Sequence, residues 1–166
     1  MLIKIFTTGG SIDKVYSTQE SAFVVGPPQV GRILEAAGVT IEVEVESLLR
    51  KDSLEITAAD RDLIVERVSA DSHRRIVITH GTDTMIETAR ALSAVDGSVI
   101  VLTGAMQPAA FKETDAAFNV GCALLAVQVL PEGVYIVMNG RVFDPLRAEK
   151  NVALDRFEDS TASVGL

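Results

Sequence analysis

Five short apolar runs are spaced along the chain, and most of the segments between them have helical periodicity. One run predicts a strand at residues 2–6, and three runs rich in β-branched residues predict buried strands at 75–79, 98–103 and 134–139. The fifth run, at 41–46, alternates strictly between apolar and acidic residues. That alternation predicts a strand with one exposed face, close to an edge of a sheet.

Four of the intervening segments have the apolar spacing of helices, and they span residues 28–38, 57–70, 83–95 and 113–130. Thr57 and Asp83 are predicted to cap the starts of two of these helices, and Gly38 is predicted to end another. The order β-α-β-α-β-α-β-α-β predicts an α/β fold. We expect a doubly wound, mainly parallel open sheet of the Rossmann-like type, with helices on both faces.

Two segments lack a regular pattern. Residues 12–28 contain Gly26, Pro27 and Pro28, and this segment is long for a connection between a strand and a helix, as is typical of a lid. The tail from Asp155 onward is polar and is expected to fray. The 166 residues are enough for one core, so we expect a single domain over 1–166.

Composition narrows the choice of partners. The net charge of −8 argues against nucleic acid or an anionic membrane as a main partner, because both need a basic surface. Cys122 is the only cysteine, so no internal disulfide can form, which predicts a reducing, cytoplasmic location. Its apolar neighbours predict core packing rather than a nucleophilic thiol. No apolar run reaches the roughly 18 residues that a membrane span needs.

Polar and small residues follow all five predicted strands. In a doubly wound sheet, ligands bind beyond the carboxyl ends of the strands, so these residues are expected to form one small polar pocket. In chain order, they are Gly9–Ser11, Asp52 with Ser53, His80–Asp83, Gly104, and the segment that ends at Lys150.

The chemistry of this pocket is narrowed by motifs that are absent. No dinucleotide-binding G-x-G-x-x-G, P-loop or G-x-S-x-G pattern occurs, and the two histidines, His73 and His80, lack metal-ligand spacing. A Ser-His-Asp triad using His80 stays open. The alternative is a hydroxyl nucleophile with Lys150 as base and Asp83 orienting that lysine. The glycine pair before Ser11 fits either a tight turn or a loop that holds an oxyanion.

Three motifs, "TTGGSID", "THGTDTMIETA" and "VLTGAM", resemble the bacterial L-asparaginase (asparaginase/glutaminase) family, which hydrolyses the side-chain amide of asparagine. They occur in family order and spacing over nearly the whole chain. The resemblance implies the fold of the asparaginase N-terminal domain. It also implies a short, single-domain form that lacks the C-terminal domain of the larger members.

The resemblance implies five catalytic residues. Ser11 stands where the family usually has a nucleophilic threonine, and Thr82 and Asp83 match the second motif. Lys150 matches the family's lysine partner in a looser local context, and Tyr16 matches the tyrosine of its lid. Either Ser11 or Thr82 is then expected to attack the amide.

The resemblance also implies a substrate-binding set, made up of Gly10, Asp52, Ser53, Gly81, Thr82, Asp83 and Ala105. Leu54 stands where larger members often have glutamine, so binding of the substrate carboxylate is expected to differ in detail. No metal or other cofactor is expected. The resemblance also implies a homodimer or a homotetramer.

The implied function is hydrolysis of L-asparagine to aspartate and ammonia through an acyl-enzyme. A glutaminase or another small-amide hydrolase is one alternative. A non-catalytic module that binds amino acids is another, because Ser11 replaces the usual threonine and the second domain has no counterpart here.

Overall fold

A computed structural model of the chain describes residues 1–160. The strands are β1 (Leu2–Gly9), β2 (Lys14–Ser17), β3 (Ala22–Val25), β4 (Glu42–Lys51), β5 (Arg75–Thr79), β6 (Val99–Thr103), β7 (Gly133–Met138), β8 (Arg141–Phe143), β9 (Ala148–Asn151) and β10 (Arg156–Asp159). The helices are α1 (Val30–Ala36), α2 (Ala58–Ala70), α3 (Met85–Leu92) and α4 (Ala116–Val129).

Six of the strands form one sheet in the order β4-β1-β5-β6-β7-β8. All neighbours in it are parallel except β7 and β8, which are antiparallel. The predicted fold class is therefore confirmed. The alternating run at 41–46 does lie in an edge strand, although β4 continues further, to Lys51.

Helices cover both faces of this sheet, as predicted. On β1, Ile3 and Ile5 point into a core that includes Val120 of α4, and α1 packs on the same side. Phe6, one residue on, points into the opposite core with Ile64 of α2, and α3 packs there too. This alternation follows from the two-residue side-chain period of a strand. Sheet residues buried on both faces explain the continuous apolar runs in the sequence.

The helix starts follow the predicted caps only in part. Thr57 caps α2 through a reciprocal capping box with Asp60, as its sequence position predicts. The prediction that Asp83 caps the next helix was wrong, because α3 begins at Met85 with Thr84 at the N-cap. The Asp83 carboxylate instead binds a lysine from a distant strand.

The segment 12–28, predicted to be irregular, contains an antiparallel hairpin of β2 and β3. The hairpin stands outside the main sheet, and its residues are half-buried or exposed. It lacks a strong apolar pattern because it has little core to face.

The polar tail also contains regular structure that the sequence did not predict. Residues Arg156–Asp159 form β10, which pairs with β9 in a second two-stranded sheet. Residues 161–166 of the predicted fraying tail lie outside the described residues. Cys122 is half-buried on α4 and packs against the core. Over residues 1–160, no helix is both long and apolar enough to cross a membrane.

Candidate active site

The site is organised around the point where the strand order of the sheet reverses. The chain places β4 on one side of β1 and then β5 on the other, so the crevice opens between the carboxyl ends of β1 and β5. Ligands of open α/β sheets bind at such a switch point. Ser11 follows β1 and Thr82 follows β5, so both candidate hydroxyls lie at this crevice.

The two loops at the crevice touch through their glycines. A Cβ added to Gly10 would lie 2.3 Å from the Gly81 Cα, and Gly10 has a φ of +86°, which disfavours other residues. Glycine is therefore required at position 10 by the close approach of the two backbones as well as by the turn. Ser11 and Thr82 each directly follow one of these glycines, which places the two hydroxyl residues on adjoining loops.

Lys150 reaches into this crevice from β9. Its Nζ donates to Thr82 Oγ1 at 2.9 Å and to the Asp83 carboxylate at 2.6 Å. The side chains of Lys150 and Asp83 are 15% and 44% exposed, so the pair is partly shielded on the lysine side. The structure thus brings together three of the five predicted catalytic residues, including the lysine with the loosest sequence match.

Ser11 lies in a short 3₁₀ turn, Ser11–Asp13, and is half-buried. Within residues 1–160, its side chain has no hydrogen-bond partner, and Lys150 does not contact it. Lys150 therefore contacts the hydroxyl of Thr82, whereas the hydroxyl of Ser11 is unpaired within the described residues.

Tyr16 lies on β2 of the hairpin and is 57% exposed. Its ring packs edge-on against Phe23 of β3, with centroids 5.6 Å apart, and Phe23 packs in the same way against Phe111. These contacts hold the hairpin against the loop that follows β6. Tyr16 has no described contact with Thr82 or Lys150.

Asp52 and Lys14 join the base of the hairpin to the end of β4. Lys14 Nζ lies 2.7 Å from the Asp52 carboxylate, which also accepts the N–H of Leu54. Partial burial pushes the pKa of Asp52 upward, but these hydrogen bonds outweigh it and hold the pKa below its ordinary value. Asp52 therefore stays ionised, with Lys14 as its partner.

Ser53 backs the loop that carries Thr82. Ser53 is buried, and its Cβ lies 2.5 Å from the place that a Cβ added to Gly81 would take. Its carbonyl accepts the hydroxyl of Thr84 at 2.7 Å. Leu54, the next residue, is 73% exposed. The loops after β4 and β5 therefore pack against each other and are joined by a hydrogen bond.

Ala105 is buried directly after Gly104, at the end of β6. This loop is held by residues that sequence reasoning missed. The Asp115 carboxylate accepts the N–H groups of Met106 and Gln107, and Asn119 donates to the Gly104 carbonyl at 3.0 Å. The only sign of these contacts in the sequence is the spacing of Asp115 and Asn119, a carboxylate and an amide four residues apart at the start of a helix.

His80 is fully buried, and its ring makes two hydrogen bonds. Its Nδ1 pairs with the Gly81 carbonyl at 2.7 Å and its Nε2 with Thr88 Oγ1 at 2.8 Å. Burial lowers the pKa of His80 to about 4. With both ring nitrogens occupied, His80 holds the loop after β5, and the triad hypothesis that used it as a base lacks a contact with Ser11.

Asp13 is a second buried polar residue that the sequence did not single out. It is 2% exposed, and its carboxylate accepts the N–H of Gln29 at 2.8 Å. Burial raises the pKa of Asp13 to about 6, more than the Gln29 hydrogen bond and the Arg50 charge lower it. Asp13 ends the 3₁₀ turn that carries Ser11, so it ties that turn to the start of α1.

No group of three or more metal-ligating side chains is found within residues 1–160. A cavity of about 750 Å³ lies between α1 and the chain leading into α4, and none of the predicted site residues lines it. The chemistry-bearing side chains instead cluster at the crevice between β1 and β5.

Comparison with known proteins identifies the family to which the chain belongs. The family model described as "Asparaginase, N-terminal" matches residues 2–162. The chain belongs to the asparaginase family. A glutaminase-asparaginase from Acinetobacter glutaminasificans is 31% identical over 159 residues, which cover 85% of this chain and 47% of that protein.

Two further relatives have different names. A component of glutamyl-tRNA(Gln) amidotransferase from Methanococcus maripaludis is 31% identical over 150 residues, covering 86% of this chain and 36% of that protein. The thermostable L-asparaginase from Thermococcus kodakarensis superposes with a TM-score of 0.82 at 28% identity, covering 96% of this chain and 51% of that one. The chain spans about half the length, or less, of these relatives.

Proposed function

We propose that this asparaginase-family chain is an L-asparagine amidohydrolase, which converts asparagine to aspartate and ammonia through an acyl-enzyme without a cofactor. The observation that carries the proposal is the contact of Lys150 with both Thr82 and Asp83 at the switch point of the sheet. A hydroxyl next to a lysine, with a carboxylate orienting that lysine, has the parts of an activated nucleophile or of a water-activating pair.

In the proposed reaction, Ser11 Oγ bonds to the side-chain carbonyl carbon of asparagine. The carbon–nitrogen bond breaks, and the nitrogen leaves as ammonia with the proton that Ser11 loses. Thr82 and Lys150 carry that proton between the two groups. Water then adds to the ester, with the same pair accepting its proton, and releases aspartate while Ser11 regains its hydroxyl. Proton transfers of this kind typically contribute about 10²–10⁴ in rate.

Ser11 is proposed as the nucleophile because its side chain is unpaired and half-buried at the crevice, whereas Thr82 is 4% exposed and already bonded to Lys150. The Gly10 N–H already donates to the Lys51 carbonyl, so other backbone N–H groups of the two touching loops are proposed to hold the oxyanion that forms on the substrate. Tyr16, on the hairpin above, is proposed to cover the substrate.

The remaining substrate contacts are proposed from the charge or polarity of each residue. One oxygen of the Asp83 carboxylate is bonded to Lys150, and the other is proposed to bind the substrate ammonium. Ser53, next to Asp52, is proposed to bind the substrate carboxylate with help from backbone groups of the adjoining loops. Ala105 is proposed to form the apolar wall.

Glutamine is the second candidate substrate, because one relative is named glutaminase-asparaginase. Another relative is named as a subunit of glutamyl-tRNA(Gln) amidotransferase, which is a second reason to test glutamine.

We further propose that residues 1–166 act as one domain in the cytoplasm and assemble as a homodimer or homotetramer. The support is the family resemblance and a set of exposed apolar side chains, which include Tyr16, Phe23, Leu54 and Leu146. Sedimentation of the purified protein at several concentrations measures the assembly directly, and a monomer at all concentrations contradicts it.

The function is tested by ammonia release from asparagine and from glutamine, with the wild type beside Ser11→Ala and Thr82→Ala. We expect asparagine to be the better substrate and both variants to lose most of the activity. Near-normal turnover in Ser11→Ala would move the nucleophile to Thr82. No ammonia from either amide would reject the enzyme proposals in favour of a module that only binds amino acids.

A further inference from the structure

Lys150 is carried by a hairpin that is not part of the main sheet. Its strand, β9, pairs with β10 in a separate two-stranded sheet, so no ladder of the six-stranded sheet fixes the lysine. Nζ must nevertheless stay within hydrogen-bond distance of Thr82 and Asp83. Something outside the ladder has to hold the hairpin at the crevice.

The residue opposite Lys150 in the hairpin is Phe157. The Phe157 ring is buried against Phe143 of β8, and its backbone N–H donates to the side-chain oxygen of Asn139 at 3.0 Å. Asn139 is therefore bonded to the residue directly across the strand pair from the lysine. Arg141 and Asp159 form a second tie between β8 and β10, but that ion pair is half exposed.

Asn139 is itself held by a buried side chain of α4. Its N–H donates to the side-chain oxygen of Asn119 at 3.2 Å. Asn119 is buried, and its amide group donates to the Gly104 carbonyl and to Asp115. A continuous run of hydrogen bonds thus leads from the loop after β6, through two asparagines, to the lysine hairpin.

We propose that Asn139 is a positioning residue, which fixes the lysine hairpin through the Phe157 N–H and so sets the distance from Lys150 to Thr82. The proposal rests on the proposed amidohydrolase function for its kinetic consequence. It makes the geometry of the base depend on a side chain that touches neither the substrate nor the reacting atoms.

The backbone role of Asn139 can be separated from this side-chain role. Asn139 and Gly140 have φ values of +54° and +73° and join β7 to β8 as a two-residue turn. Asn-Gly, Asp-Gly and Gly-Gly all suit a turn with two positive φ values. Replacing Asn139 by glycine therefore keeps the turn and removes the acceptor, whereas aspartate keeps both.

The experiment compares wild type, Asn139→Gly and Asn139→Asp in two measurements. For Asn139→Gly, loss of one hydrogen bond that positions the base should lower kcat about 10-fold and leave KM within about twofold. Asn139→Asp should retain kcat within about twofold. Hydrogen exchange of the Phe157 amide, followed by NMR, should accelerate at least about 10-fold in Asn139→Gly only. Asp159→Asn, which removes the exposed ion pair, is the matched control and should behave like the wild type.

Equal kcat values for the glycine and aspartate variants would overturn the proposal, as would an equal loss in Asp159→Asn. A rise in KM with unchanged kcat would also overturn it, because that pattern indicates lost substrate binding. If the wild type releases no ammonia, the proposed function fails. The exchange rates then still decide whether Asn139 holds the hairpin: unchanged exchange in Asn139→Gly would reject that contact, and faster exchange there alone would support it.

Discussion

Replacing Asp13 by asparagine should change how the stability of the protein depends on pH. Asp13 is buried, and burial raises the pKa of its carboxyl from an ordinary 3.8 to about 6. Asparagine has the same shape and keeps a carbonyl oxygen for the Gln29 N–H, which lies 2.8 Å from the native carboxylate. The variant thus removes the titration and preserves the hydrogen bond to the start of α1.

The sign follows from proton binding. Because the pKa of Asp13 is higher in the folded state, the folded state holds a proton that the unfolded chain releases between about pH 4 and pH 6. The contribution of Asp13 to stability is therefore complete below the unfolded pKa and is lost as the pH rises through about 6. The two pKa values correspond to a loss of about 3 kcal/mol above pH 6, of which about 2 kcal/mol develops between pH 4.5 and pH 8.

His80 contributes with the opposite sign over an overlapping range. Burial lowers the pKa of His80 from 6.5 to about 4, so its contribution is present above the unfolded pKa and is lost as the pH falls through about 4. The pH-dependent contributions of Asp13 and His80 to stability therefore partly cancel in the wild type. The informative quantity is therefore the difference in unfolding free energy between Asp13→Asn and wild type, in which His80 is common to both.

Urea unfolding at about pH 4.5 and about pH 8 measures that difference. We expect it to favour Asp13→Asn by about 2 kcal/mol more at the higher pH, whatever fixed packing cost the amide adds. A difference that does not change with pH, or that changes in favour of the wild type as the pH rises, would refute the reasoning.

Two further predictions concern the lysine and the touching glycines. Lys150→Met should lower kcat for ammonia release by about 10²–10⁴, whereas Lys112→Met, at an exposed lysine, should leave it unchanged. Equal effects of the two variants would contradict the assignment of the base. Gly10→Ala should destabilise the fold by more than about 3 kcal/mol, because the new Cβ meets Gly81 at 2.3 Å. Gly121→Ala, in open space on α4, should instead stabilise it by about 1 kcal/mol, and thermal unfolding that ranks the two variants equally would be evidence against the close contact.

The elements that the sequence predicted well are those whose side chains face a core. The five parallel strands and four helices have apolar positions at regular spacing because each buries a face or both faces. Strands β9 and β10 read "AEKN" and "RFED", and most of their side chains are at least partly exposed, so periodicity could not reveal them. The Asn139–Gly140 pair did carry a hairpin signal, which would have predicted β8.

The residues of the candidate site also differ in how well the sequence predicts them. The strand exits located Ser11 and Thr82 because parallel strands end at one edge of the sheet. Lys150 lies 68 positions from Thr82 and comes from a separate hairpin, so no local spacing could place it beside Thr82. It was predicted from its position after the fifth strand and from the family resemblance. The buried tie between Asn119 and Asn139 depends on tertiary contacts between α4 and the turn after β7, which leave almost no trace in the sequence.

The most direct test of the central claim is a crystal structure of the protein with bound L-aspartate, the proposed product. We predict that its side-chain carboxyl lies between the hydroxyls of Ser11 and Thr82, with Lys150 still bonded to Thr82. The aspartate ammonium should contact Asp83. Aspartate bound away from the crevice between β1 and β5, or bound there with its side chain directed away from both hydroxyls, would contradict the account.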